Sequence, residues 1–326
     1  MESVTMKHVW KARKRIRGLL APTPLLPSQE LSRLTGSPVY LKLEQMQPSA
    51  SFKLRGATNM IASLPDKSRQ KGIVTFSTGN HGFAVAMAAN ELGIRAVVCV
   101  SERVPEAKIS ALRVSGAELH IEGDGQDEAG DVARRLEMEE GLTLIPPFDH
   151  PEIIAGQGTM GLEILEELPD VNAVLAGLSG GGLLSGLGLA LKKTDPAIQV
   201  IGISVEKGAA MNDSIRAGKP VQISEYPTLA DSLLGGIGLD NIYTFSMVKQ
   251  YVDQRLSISE ESIAKGMAFL YEKHRLVVEG AAAVGVGALL DGSFQPDGPT
   301  VLVITGNSIS AAEHYQSVRP FLQDRT

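Results

Sequence analysis

From Val39 onward, short apolar or β-branched runs alternate with longer stretches of helical period. That rhythm restricts the chain to a sheet of parallel strands covered by helices, because parallel neighbours need a helical crossover between them. The expected strands are 39–43, 73–76, 96–100, 118–121, 143–145, 173–178, 199–205 and 301–304. Helical stretches lie between or after them at 81–92, 105–114, 128–140, 158–168, 183–193 and 259–274. The fold class is α/β. With 326 residues the chain has the length of two lobes or one large domain, and no Pro/Ser-rich run marks a linker.

Composition narrows the function classes. Hydrophobic and charged contents of 43% and 21% are those of a globular chain and exclude wholesale disorder. Thirty-one basic against 37 acidic side chains leave a formal charge of −6, the wrong sign for general nucleic-acid binding. The single cysteine, Cys99, permits no intrachain disulfide and no cysteine zinc cage, and it reads as a buried strand residue of a cytoplasmic chain. An uncharged stretch at 173–191 approaches the length of a membrane helix, but Gly180, Gly181 and Gly182 divide it into strand, loop and helix. The basic N-terminal stretch at 7–20 reads as a surface helix ended by Pro22 rather than a presequence, because Glu2 intrudes and no apolar signal core follows. Glycine is the outlying count, 34 residues.

Four short motifs stand out, three of them at strand ends. Ser51-Phe52-Lys53-Leu54-Arg55-Gly56-Ala57 offers a lysine that, taken alone, reads as a solvated helix-start residue. Ser179-Gly180-Gly181-Gly182-Leu183 lies between an apolar strand and a helix, where backbone N–H groups and the helix N-terminus favour a phosphate. Phe76-Ser77-Thr78-Gly79-Asn80-His81-Gly82 puts small hydroxyl residues and an Asn at a helix start, a seat for a carboxylate. Ordinary capping explains Ser77 or Thr78 but leaves Asn80 and His81 unused. Thr305-Gly306-Asn307 follows the last apolar strand, where the ligand crevice of an open α/β sheet lies. A dinucleotide fingerprint is a rival for the glycine loop: Gly180 and Gly182 fit G-x-G-x-x-G, Ser185 does not, and Glu206 stands near the position of a ribose-binding acid. The G-x-x-x-x-G-K-[ST] loop of nucleoside-triphosphate sites is absent.

Together with the tract Ala155-Gly156-Gln157-Gly158-Thr159, these motifs resemble the pyridoxal-phosphate enzymes of fold type II, and among them the threonine dehydratase and serine racemase group. The likeness runs from about Thr23 to Ile309. The tracts at 228–233, 235–241 and 278–283 are similar to the hydroxyectoine-utilisation dehydratase subgroup. The resemblance implies a tryptophan synthase β-like pair of lobes, each a mostly parallel twisted sheet flanked by helices. Residues 1–63 with 146–326 would form the large cofactor lobe, and 64–145 a small lobe that closes over the substrate.

The same resemblance assigns roles. Lys53 would form the Schiff base with pyridoxal 5′-phosphate and then take the Cα proton. Phe52 would lie against the ring, Asn80 would bond its 3′ oxygen, and Ser179, Gly180, Gly181, Gly182 and Leu183 would hold the phosphate. Glu279 would join the cofactor-binding set. Thr305 would stand beside the pyridine nitrogen, where a hydroxyl cannot act as a carboxylate counter-ion, so the ring stays neutral and a weaker electron sink. Ser77, Thr78, Asn80 and His81 would seat the substrate carboxylate, and Phe148 falls near the substrate pocket or in the core.

The implied reaction is β-elimination from a 3-hydroxy amino acid, giving a 2-oxo acid and ammonia. Threonine, serine, hydroxyaspartate and arylserine types, or an intermediate of hydroxyectoine breakdown, are the candidate substrates. Racemisation or β-replacement with the same cofactor is the alternative, and a nucleotide-binding dehydrogenase the more distant one. Three departures from the family pattern bear on these readings. Thr78 replaces the serine that serves the opposite face of Cα in racemases, and its methyl crowds that position. Ser204 replaces the glutamate of metal-binding members, so no metal is expected. Asn307-Ser308-Ile309-Ser310 replaces the usual G-N-[VI]-D ending. A homodimer is expected, and an effector-binding C-terminal domain is not.

Overall fold

A computed structural model describes residues 3–104 and 106–322. Among these, ten strands form two sheets. The strands are β1 (Leu25–Pro27), β2 (Val39–Leu43), β3 (Ile73–Phe76), β4 (Ala96–Val100), β5 (Glu118–Ile121), β6 (Thr143–Leu144), β7 (Ala173–Gly177), β8 (Gln199–Val205), β9 (Gln254–Ile258) and β10 (Thr300–Ile304). The larger sheet runs β1-β2-β10-β7-β8-β9 and is parallel except for β1, which pairs antiparallel with β2. The smaller sheet runs β5-β4-β3-β6 and is parallel throughout. The α/β expectation holds.

Burial on both faces explains why the strands read as continuous apolar runs. Along β10, Val301 and Val303 join a core with Val174, Val200, Leu184, Met160 and Ile164. The alternate residues Leu302 and Ile304 face the opposite core, with Leu41, Leu175, Ile203, Val284 and Met267. The first face is covered by the helices Pro151–Glu167 and Gly182–Thr194, the second by Glu260–His274 and Gly280–Leu290. In the smaller sheet Val74, Val97 and Cys99 pack on Ala129, Val132 and Ala133 of the helix Gln126–Glu140. Burial pushes the Cys99 thiol up to about 11, so it is an inert thiol in a core strand.

Three helices meet backbone to backbone. A β-carbon on Gly156 would lie 2.6 Å from the Arg55 carbonyl oxygen and from the Gly56 Cα. One on Gly186 would lie 2.1 Å from the Ile154 carbonyl oxygen. Glycine is therefore required where the helices Lys53–Ser63, Pro151–Glu167 and Gly182–Thr194 cross. This crossing corrects the expected helix at 158–168: it begins at Pro151, capped by His150, and the glycines at 156, 158 and 161 are contact points rather than breaks. The N-terminal helix is also shorter than expected, Met6–Ile16, and stops before Gly18 at φ 94°. The helix expected from 105 is described from Glu106 to Val114; Pro105, like Glu2, lies outside the described residues.

Candidate active site

The parallel register sets the carboxyl ends of β2, β10 and β7 side by side. Ligand crevices of open α/β sheets lie at such ends. Here β10 leads to Thr305, buried at 4% exposure, and β7 leads to the glycine loop. The segment before Lys53 is stitched onto the segment after β10. The Phe52 N–H donates to the Thr305 carbonyl oxygen at 3.0 Å, the Asn307 N–H to the Ala50 carbonyl oxygen at 3.1 Å, and Ser51 bridges to Gly306. Ala50 enters this stretch at φ 60°, a left-handed conformation that costs a residue with a β-carbon roughly 1–2 kcal/mol.

Lys53 opens the helix Lys53–Ser63. Its Nζ donates to the Pro147 carbonyl oxygen at 2.8 Å and lies 5.4 Å from the Phe52 ring centre. Burial pulls its pKa down to about 8, against the opposing charge of Glu279. A substantial fraction is therefore free amine near neutral to mildly alkaline pH, the form that attacks a carbonyl.

In the glycine loop, Gly181 stands at φ 84° as the N-cap of the helix Gly182–Thr194. The first N–H groups of that helix have no carbonyl within it, and the helix end favours an anion. Phe148 lies directly under the loop: a β-carbon on Gly180 would fall 2.4 Å from its ring, and one on Gly182 2.9 Å from its Cβ. The Phe148 ring thus supports the loop. The Ser179 hydroxyl donates to the Leu234 carbonyl oxygen at 3.4 Å, and the wholly buried Ser185 hydroxyl has no partner among the described residues.

The second loop joins β3 to the helix Asn80–Glu91. It turns tightly: a β-carbon on Gly82 would come within 2.0 Å of the Ser77 carbonyl oxygen. Ser77 and Thr78 remain partly open, and the Ser77 hydroxyl accepts from the Gly79 N–H at 3.3 Å. Beyond Gly79, the side chains of Asn80 and His81 each have a partner within the protein. The His81 imidazole turns into the core, with Nε2 2.9 Å from the Ile145 carbonyl oxygen. Burial, helped by the nearby Lys53 charge, lowers its pKa to about 3, so it stays neutral. Only its backbone N–H belongs to the helix start. The Asn80 Nδ2 donates to both oxygens of Glu279, each at 3.0 Å.

The sequence reading passed over the charges beneath the lysine. Arg55 is 1% exposed and bonds Glu44 through Nε and Nη2 at 2.8 Å, and Glu163 through Nη1 and Nη2 at 2.7 Å. Thr23 and Thr159 add contacts, and Lys42, itself fully buried, pairs with Glu163 at 2.9 Å. Burial opposes the Arg55 charge, but Glu44 and Glu163 outweigh it and hold the guanidinium ionised. The available signal was a charged residue set among apolar neighbours, as with Glu163 in G-L-E-I-L and Lys42 in V-Y-L-K-L. At Ser204 the hydroxyl donates to the Leu178 carbonyl oxygen at 2.6 Å.

A lysine of lowered pKa, an anion-ready glycine loop and a hydroxyl residue at the centre of one sheet edge define a class of carbonyl-dependent enzyme sites. The chain belongs to the pyridoxal-phosphate dependent enzymes, whose family pattern it matches over residues 16–306. It is similar to an L-threonine ammonia-lyase of Thermotoga maritima, 40% identical across 94% of this chain and 76% of that one. It is also similar to the L-threo-3-hydroxyaspartate ammonia-lyase of Saccharomyces cerevisiae, 37% identical across 88% and 87%. Among solved structures, maize serine racemase superposes with a TM-score of 0.91 at 29% identity, covering 98% of both chains. The chain is accordingly a pyridoxal-phosphate-dependent lyase of the dehydratase and ammonia-lyase type. The site fits the cofactor: Lys53 offers the amine, the N-terminus of the helix behind Gly181 offers N–H groups to an anion, and Gly306 lets Glu279, Ser51 and Asn80 approach one another closely.

Proposed function

We propose that the chain dehydrates a 3-hydroxy amino acid, releasing a 2-oxo acid and ammonia. The observation that carries this reading is the Lys53 amine, lowered to about 8 and set beside Phe52 and the Pro147 carbonyl. Pyridoxal phosphate bound there supplies an electron sink for the pair left when the Cα proton departs. The chain's own residues do the rest. Ser179 to Leu183 hold the phosphate through N–H groups, and Phe52 and Thr305 bound the ring. The Thr305 hydroxyl does not bring the negative charge that a pyridinium requires, which favours quick loss of a β-substituent. Lys53 takes the Cα proton. The Ser77 to His81 loop seats the carboxylate through Ser77, Thr78, Asn80 and the His81 N–H, while Thr78 presents its hydroxyl on the other face. Phe148 backs the phosphate loop and borders the substrate. Water is lost from Cα and Cβ, and one water is consumed when the released enamine hydrolyses to 2-oxo acid and ammonia.

Residues 64–145, which hold the carboxylate loop, act as the small lobe closing on a large lobe of 1–63 and 146–326. Substrates of the threonine, serine, hydroxyaspartate or arylserine type fit this chemistry. The likeness of 228–233, 235–241 and 278–283 to the hydroxyectoine-utilisation subgroup adds a hydroxyectoine-pathway intermediate. A cytoplasmic homodimer completes the reading; among the described residues no helix is long and apolar enough to cross a membrane. The test is a panel of 3-hydroxy amino acids assayed for 2-oxo acid, ammonia and enantiomer. Equimolar 2-oxo acid and ammonia is the expected result, and enantiomer without ammonia overturns the reading. Borohydride reduction of the loaded protein is expected to fix the label on Lys53.

A further inference from the structure

Glu279 precedes the helix Gly280–Leu290 as its N-cap, yet its side chain makes no capping bond to that helix. The carboxylate, on a residue 3% exposed, faces the other way. Its Oε2 accepts from the Ser308 backbone N–H at 3.1 Å, and both oxygens accept from the Asn80 Nδ2 at 3.0 Å. Gly306 makes the room: a β-carbon there would lie 3.0 Å from Glu279 Oε1 and 3.3 Å from Asn80 Nδ2. Glu279 therefore ties the helix that follows β3 of the smaller sheet, through Asn80, to the segment that follows β10 of the larger one, through Ser308.

The chemistry of the contact fixes which way the Asn80 amide points. A carboxylate only accepts, so it selects the amide nitrogen and turns Oδ1 away. The Ser308 N–H, a backbone donor that cannot reverse, holds the same carboxylate as an acceptor. The two oxygens of one carboxylate lie too close together to take both N–H bonds of an amide, which diverge widely. One N–H of Asn80 is thus left over. We propose that Glu279 is a positioning residue: it locks the Asn80 amide so that its second N–H is presented to the ring oxygen of the bound cofactor. The inference rests on the proposed reading of Lys53 and Asn80 as cofactor-facing residues.

The test uses the full chain loaded with pyridoxal phosphate and follows its visible absorbance against pH in the wild type, Asn80→Ala, Glu279→Gln, Glu279→Asp and the double variant Asn80→Ala/Glu279→Gln. Glu279→Asp keeps the charge but shortens the reach. The expected result is that Asn80→Ala, Glu279→Gln and Glu279→Asp each move the midpoint by about 0.5 to 2 pH units, while Glu279→Gln adds nothing once Asn80 is alanine. An equal shift from Glu279→Gln with and without Asn80 overturns the inference, because the charge then acts directly. So does a wild-type midpoint in Glu279→Gln or Glu279→Asp despite a shift in Asn80→Ala. A midpoint unmoved by Asn80→Ala instead overturns the reading of Asn80 on which the inference stands.

Discussion

Arg55 and Glu163 meet through two contacts of 2.7 Å, Nη1 on Oε1 and Nη2 on Oε2, with both side chains almost wholly out of water. One residue, Leu54, separates Arg55 from Lys53, so the pair anchors the helix that Lys53 opens to the helix Pro151–Glu167. Replacing Arg55 with methionine leaves the buried Glu44 with the Thr23 hydroxyl but no cation, and Glu163 with Lys42 and Arg13 as its remaining cations. A loss of about 3–5 kcal/mol is expected on chemical denaturation. Arg55→Lys keeps a charge but not the fork, and falls between. Wild-type stability in Arg55→Met would show that the network contributes little.

The depressed lysine makes a kinetic prediction. Uptake of pyridoxal phosphate by the cofactor-free chain requires the neutral amine, so the rate rises with pH and half-saturates near 8 rather than 10.5. Stopped-flow absorbance between roughly pH 6 and 10.5 checks this. A rate still climbing tenfold per unit above pH 9 would contradict it.

His81 predicts the acid limb of stability. The unfolded chain takes a proton on this imidazole below about pH 6.5, whereas the folded chain refuses it until about pH 3. Stability therefore falls as pH drops through that window, by at most about 1.4 kcal/mol per unit from this residue. His81→Gln retains a donor for the Ile145 carbonyl and cannot titrate. Its melting temperature is expected to drop less than the wild type's between pH 7 and 4.5; equal drops would remove His81 from the account.

Gly180 and Phe148 form a compensating pair. Gly180→Ala drives a methyl group into the ring, and the loop must shift. Cofactor affinity is expected to weaken about tenfold, a change of 1.4 kcal/mol. Adding Phe148→Leu opens the space and restores part of it. An absorbance titration measures both. If the second change gives no recovery, the clash is not what limits the loop.

Legibility in the sequence followed burial. Central strands such as β8 and β4 are apolar on both faces, and their bounds were readable from hydrophobic runs alone. The edge strands β1 and β9 were not: Gln254, Arg255 and Ser257 are exposed, so no apolar run announces β9. Three motif loops, at 77–82, 179–183 and 305–307, were visible because each combines a strand end with glycine or small hydroxyl residues. What stayed hidden is pairwise. Arg55 meets Glu163 across 108 positions and Asn80 meets Glu279 across 199, and no local pattern encodes such distances. The same limit applied to His81, whose ring direction depends on the Ile145 carbonyl, 64 positions away.

The last of the described strands, β10, lies in the middle of the larger sheet, between β2 and β7. A nascent chain therefore emerges with that place open, and until about Ile304 has left the ribosome β2 and β7 each carry an unpaired edge. Thr305 and Gly306, which receive the segment around Phe52, arrive later still. The Lys53 amine thus waits for its surroundings until the chain has been made past Gly306. A fragment ending before β10 would keep Lys53 and lose the seat around it, which couples cofactor capture to the docking of β10 between β2 and β7.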